Sequence, residues 1–214
     1  MSRGLAGLWL ISLVVMVSAC GAPPYTYVTN SADQAYFEVP GAWHKIGDAA
    51  LANQLHKGST SEPSGVWSVG YDGSPAPSAA HVFDSTSPQP FAFALVEPLS
   101  ATASNTMSYN QLRDLFLPVT SATRQSAVRG GFPLTQFRLL RDTVLTPGQG
   151  VHGVRVTFNY TFPDGSTDTF DQVAFTNADS TKVYLLVLHC LATCYQQHQN
   201  EIETVISSFT VRSS

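Results

Sequence analysis

Charge is scarce in this chain of 214 residues: Asp, Glu, Lys and Arg together make up 12%, about half the ~25% of an ordinary soluble protein. The basic side is the thinner one, with 11 Lys and Arg against 15 Asp and Glu. No run of Lys or Arg occurs. That argues against nucleic acid, whose phosphates need a basic patch to neutralise them, and against polybasic attachment to a membrane surface. Beyond residue 17 no apolar stretch approaches the ~20 residues needed to cross a bilayer as a helix. Catalytic signatures are missing as well. There is no G-x-S-x-G, since Gly65-Val66-Trp67-Ser68-Val69-Gly70 has one residue too many, and no H-E-x-x-H or S-x-x-K. His44, His56, His81, His152, His189 and His198 are scattered, and the carboxylates are too dispersed to nominate an acid/base pair. Arg129-Gly130-Gly131-Phe132-Pro133 reads as a turn into a strand and not as a phosphate loop. Composition and motifs therefore point away from an enzyme, and they imply no cofactor and no metal.

What is present begins with a leader. Arg3 precedes an apolar run from Leu5 to Val17, and small residues follow, the layout of an export signal. Val17-Ser18-Ala19-Cys20, with Gly21 after it, resembles the bacterial lipobox. That resemblance implies acylation of the Cys20 thiol and cleavage before it, so that residues 1–19 are absent from the mature protein. One acyl chain anchors weakly, whereas two or three hold firmly. The expected location is the extracytoplasmic face of a cell membrane, or the outer membrane in a host with two, because Gly and not Asp follows Cys20. Loss of Arg3 with the leader makes the net charge of −4 one unit more negative.

Residues 20–34 read as a lipidated tether and 35–214 as a single α+β domain of a size that can bury a proper core. Within it, residues 59–90 are rich in Ser, Pro and Gly and form a surface excursion around one strand, Val66 to Tyr71. Ala35 to Val39 and Phe91 to Glu97 read as strands. Asp48 caps a short helix over Ala49 to Lys57, and Ser108 with Gln111 makes a capping box for a helix carrying Leu112, Leu115 and Phe116 inward. Thr135 to Val144 is extended. Val154, Val156, Phe158, Tyr160 and Phe162 then alternate with polar residues, the period of a half-buried strand. Tight turns lead on to Thr167–Phe175 and to the nearly continuous apolar run Val183–His189, making an antiparallel meander. Tyr195, His198, Ile202, Val205, Ile206 and Phe209 fall at helical spacing, so a long amphipathic helix from Cys194 to Ser207 closes the domain.

Two stretches carry a family resemblance. Phe37-x-x-Pro40-x-x-Trp43 near the start, and a hairpin, apolar strand, amphipathic helix and Val205-Ile206-Ser207-Ser208-Phe209-Thr210-Val211 at the end, resemble PsbP-like domains. The resemblance covers about residues 35–212. It implies a central antiparallel sheet flanked by helices, and members that act mainly as binding or assembly factors.

Cys190 and Cys194, an even pair in an exported chain, read as one disulfide. The sharper alternative joins them to His198, four residues further on, as metal ligands, but a structural zinc site wants four ligands and the strand end at Cys190 breaks the helical register. Asp164, Asp168 and Asp171 do not have the spacing of a calcium loop. Trp67 and Tyr71 are the candidate binding residues, as core or as an exposed platform. The resulting expectation is a membrane-anchored, non-enzymatic binding or assembly protein whose partner is an envelope protein or a glycan. Carriage of a small ligand or lipid in an apolar cavity between sheet and helices is the alternative, and a hydrolase assembled from distant residues stands behind it.

Overall fold

A computed structural model describes residues 24–55, 65–84 and 88–212; Cys20 and the leader lie outside them. Order begins before the expected end of the tether. Tyr25–Asn30 (β1) pairs along its whole length with Ala35–Pro40 (β2), from Tyr25 opposite Pro40 to Asn30 opposite Ala35. Its Tyr, Thr and Val residues favour extended backbone, and Val28 is buried beneath it. Thr210–Val211 (β10) pairs with the other edge of β2, so the first and last strands share one small three-stranded sheet.

The main sheet has seven strands, all antiparallel: His44–Ile46 (β3), Trp67–Asp72 (β4), Phe91–Pro98 (β5), Thr135–Gly148 (β6), Val151–Thr161 (β7), Thr167–Thr176 (β8) and Lys182–Leu191 (β9). Their order in space is β3-β4-β5-β9-β8-β7-β6. The alternation in β7 splits as expected. Val154, Val156, Phe158 and Tyr160 enter one core with Phe91, Phe93, Phe170 and Leu185, under the helices Asp48–Leu55 (α1) and Tyr109–Arg113 (α3). The opposite face packs Val69, Ala92, Ala94, Leu186 and Leu188 against Phe37, Val39, Ile202, Val205 and Phe209, under the small sheet and the last helices. The architecture is thus an antiparallel sheet flanked by helices, with the small sheet as part of one flanking layer.

Two helical expectations change, and two helices are added. The helix opened by Ser108 stops at Asp114, well short of Phe116. The Asp114 carboxylate turns forward and accepts from the Val119 and Thr120 amides at 2.7 and 2.8 Å and from the Thr120 and Thr123 hydroxyls at 2.7 and 2.8 Å. It thereby binds the chain into a new helix start. Two helices have no apolar stripe and escape a periodicity reading: Ala101–Thr106 (α2), capped by Ser100, and Ser121–Arg129 (α4), capped by Thr120. The closing helix is broken at His198 into Ala192–Gln197 (α5) and Gln199–Ser208 (α6). Its first turn is fixed to the end of β9 by a bond between Cys190 and Cys194, while α6 runs over β2 with Ile202, Val205 and Ile206 buried.

Candidate functional site

The two aromatic candidates come together at one edge of the sheet. Trp67 and Tyr71 point to the same face of β4 and rest their bodies on the core, with Tyr71 edge-on to Phe37. Their outer rims line a groove of about 560 Å³ with Tyr27 and Thr29 of β1, Lys45 of β3 and Asp48 of α1. Tyr27 is 79% exposed. Burial pushes the Tyr71 hydroxyl above its ordinary range against the opposing pull of Lys45, so it is a neutral hydrogen-bonding group at any physiological pH. Lys45 is paired with Asp48 at 3.2 Å. Aromatic surfaces, hydroxyls and one ion pair can stack on and hydrogen-bond a partner. They supply no nucleophile with an activating base.

Histidine–carboxylate pairs do exist. His81 Nδ1 lies 2.7 Å from Asp72 Oδ2, and the Ser74 and Ser78 amides donate to the same carboxylate. Asp72 therefore organises the part of the Ser/Pro/Gly-rich excursion that follows β4, including the 3₁₀ turn Ala79–Val82. His189 Nδ1 lies 3.3 Å from Asp168, with Phe170 stacked on its ring. Both Asp168 and His189 are sealed in the core, and Asp168 Oδ1 and His189 Nε2 meet no partner there. Among the described residues neither histidine has a hydroxyl or thiol within hydrogen-bond reach. The first pair ties the excursion to β4 and the second joins β8 to β9; among the described residues neither is completed into a triad.

A second polar cluster crosses the opposite face. Arg155 on β7 donates to Asp171 on β8 (3.0 and 2.7 Å) and to Glu203 on α6 (both 2.7 Å), and the Tyr195 hydroxyl donates to Asp171 at 2.7 Å. Burial would lower Arg155, but its bonds to Glu203 and Asp171 outweigh that and push it up. Bonding to Arg155 holds the Glu203 carboxyl down to about 2. Asp168 and Asp171 thus serve opposite faces, and Asp164 caps a turn by accepting from the Ser166 amide and hydroxyl. His198 lies 3.5 Å from Glu201, and among the described residues no cluster of His, Cys, Asp and Glu is arranged to hold a metal ion.

Sequence reasoning passed over the far edge. There α4 leans over β6 and leaves a cleft of about 400 Å³ whose walls are Val128, Phe132, Leu134, Phe137 and Tyr160. Among the described residues Arg124 and Arg129 are the charged groups lining it; the Arg124 guanidinium lies 3.9 Å over the Phe137 ring. Burial pushes the Tyr160 phenol up to about 12. An exposed polar helix gives no periodic signal, and arginines five residues apart read as isolated charges.

No family model matches the chain, and no curated protein sequence matches it. Solved structures do. The solution structure of the cyanobacterial PsbP protein, CyanoP, from Synechocystis superposes with a TM-score of 0.54 at 13% identity, covering 91% of this chain and 96% of that one. The fold is PsbP-like. Weaker similarity extends to the Ran-binding protein Mog1p of Saccharomyces cerevisiae (TM-score 0.46, 9% identity, 88% of this chain and 96% of that one). It extends also to LpqN of Mycobacterium tuberculosis, described as involved in cell envelope biogenesis (TM-score 0.41, 13% identity, 88% and 86%). The PsbP-like fold accounts for the layers; at this identity it assigns no residue.

Proposed function

We propose that this protein is a lipid-anchored, extracytoplasmic binding or assembly accessory without catalytic activity, held at the membrane through Cys20 and engaging an envelope protein or glycan. The observation that carries the binding reading is the groove formed by Tyr27, Trp67 and Tyr71, where a largely exposed tyrosine stands beside two aromatics fixed by the core. Rigid aromatic side chains of this kind bury much surface on a partner at little conformational cost. The lipobox resemblance supports the anchor, and the sealed positions of Asp72, Asp168 and His189 tell against the hydrolase reading. The carrier reading moves from the middle of the sandwich, where Phe91, Phe158 and Leu185 are buried, to the open cleft at its edge.

Two measurements test it. A photo-crosslinking residue at Tyr27 in intact cells should trap a discrete partner, and Tyr71→Ala should reduce that product at least about fivefold. Recovery of only bulk envelope proteins, unchanged by Tyr71→Ala, would overturn the groove assignment. Cys20→Ser should release the protein from the membrane fraction and abolish acyl labelling. Retention of label on the variant would refute the anchor.

A further inference from the structure

The edge strand β6 and the helix above it differ in charge from the rest of the molecule. Five of the 11 basic residues, Arg113, Arg124, Arg129, Arg138 and Arg141, lie between residues 113 and 141 on α3, α4 and β6. One carboxylate, Asp114, lies in this stretch and a second, Asp142, directly follows it, and both are engaged. Asp142 takes the Arg113 guanidinium at 2.9 to 3.1 Å, and Asp114 is saturated by the start of α4. On the other face of β6 Arg141 reaches Glu203 at 3.5 Å, which leaves the excess of positive charge, in a chain of net charge −4, at Arg124 and Arg129 beside the cleft. This edge is also greasy: Val128 is 68% exposed, and Leu139, Leu140 and Val144 are each nearly half exposed.

The cleft between α4 and β6 combines both properties. Its floor is almost wholly apolar, and its charged groups, Arg124 and Arg129, are both cationic. A volume of about 400 Å³ falls in the range of small-molecule sites, ~300–1,000 Å³. A polyphosphate would use the arginines and leave Phe132, Leu134 and Phe137 idle, while a neutral apolar ligand would leave the arginines idle. We propose that this cleft binds an anionic amphiphile, with its carboxylate or phosphate head on Arg124 and Arg129 and its acyl chain along Val128, Phe132 and Phe137.

The place of the cleft fits a ligand drawn from the membrane. The Gly41 amide donates to the Pro24 carbonyl at 2.9 Å, and Gly73, which packs under Trp43, donates to the Pro90 carbonyl at 2.9 Å. Across the sheet Phe91, His189, Phe170, Phe158 and Leu139 then stand side by side, with Tyr160 and Phe137 just beyond. The point where the chain enters the fold and the cleft therefore lie at the same end of the sheet. Only this positional argument rests on acylation of Cys20; the chemistry of the cleft is independent of it.

The test uses the chain carrying Cys20→Ser, so that no lipid is attached to the protein itself. Four probes are offered: monomeric oleate and its uncharged methyl ester by calorimetry, and phosphatidylglycerol and phosphatidylcholine vesicles by co-sedimentation. Two variants act on the exposed surface, Arg129→Glu to reverse charge and Gln125→Trp to fill the cleft without changing charge, with thermal midpoint and near-ultraviolet dichroism as checks of folding. The expected result is binding of oleate or phosphatidylglycerol at least about tenfold stronger than of the neutral counterpart, weakened at least about fivefold by each variant and by raised salt. Oleate binding without vesicle binding assigns a free fatty acid, and the reverse assigns a bilayer lipid. Absence of both, equal binding of charged and neutral probes, or binding untouched by both variants overturns the proposal.

Discussion

Strands β9 and β6 are both rich in large apolar residues, yet they live in opposite surroundings. In β9 every residue but the two terminal ones is buried, whereas in β6 every residue but Phe137 and Leu145 is exposed. Position in the sheet makes the difference: β9 is paired on both sides and covered on both faces, while β6 has one neighbour and little above or below it. An exposed edge with Leu139, Leu140 and Val144 invites unwanted pairing. Three register shifts, Arg138, Arg141 and Pro147 protect it. Hydrophobic composition alone thus does not locate a core. Stability belongs to the centre of this sheet, and the surfaces open to a partner or ligand lie at its two edges.

The contrast can be broken most severely at the ion pairs. Asp171→Ala leaves the largely buried Arg155 without its innermost partner and should cost about 3–5 kcal/mol, read as a shift in the urea midpoint. Asp142→Ala, which removes an exposed partner of Arg113 at the edge, should cost less than about 1 kcal/mol. Equal losses would mean that β6 is as integral as the centre. Next comes packing: Leu186→Ala in β9 should cost about 2–5 kcal/mol, while Leu140→Ala in β6 should stay within about 0.5 kcal/mol in the same denaturation. Cys190→Ser with Cys194→Ser opens a five-residue loop, worth about 2 kcal/mol on loop entropy, and calorimetry should show a lowered Tm with the fold retained.

Acid sharpens the comparison with a smaller effect. Bonding to Arg155 depresses the Glu203 carboxyl from 4.5 to about 2. Its contribution to stability is therefore complete above about pH 4.5 and lost as pH falls through about 2. Stability measured by denaturant should decline across that window, and Glu203→Gln should flatten the slope. A variant that declines as steeply as the parent would assign the acid response elsewhere.

Much of the layout is legible in the residues. The alternation from Val154 to Tyr160 and the apolar run of β9 mark a half-buried strand and a fully covered one, and the apolar spacing from Ile202 to Ile206 marks α6. The aromatic candidates Trp67 and Tyr71 do meet at one groove, but Tyr27 was hidden in what reads as a tether. The parts that escape are those created by contacts over long separations. Asp114 ends one helix and starts another by bonds forward along the chain. Arg124 and Arg129 are dilute in sequence and come to wall one cleft only where α4 meets β6, while Arg138 and Arg141 turn to the opposite face, where Arg141 meets Glu203.

The position of β2 also sets an order of events. It sits between β1 and β10, and its Glu38 amide donates to the hydroxyl oxygen of Ser208, 170 residues later. Likewise β5 needs β9 before it has a second neighbour. A chain that emerges amino end first exposes β2 and β5 long before the residues that complete them arrive. Residues 182–211, from β9 to β10, are therefore a latch in time: until they emerge, β5 lacks its second neighbour and β2 lacks β10 and the cover of α6, and the growing chain must be kept from finding other company.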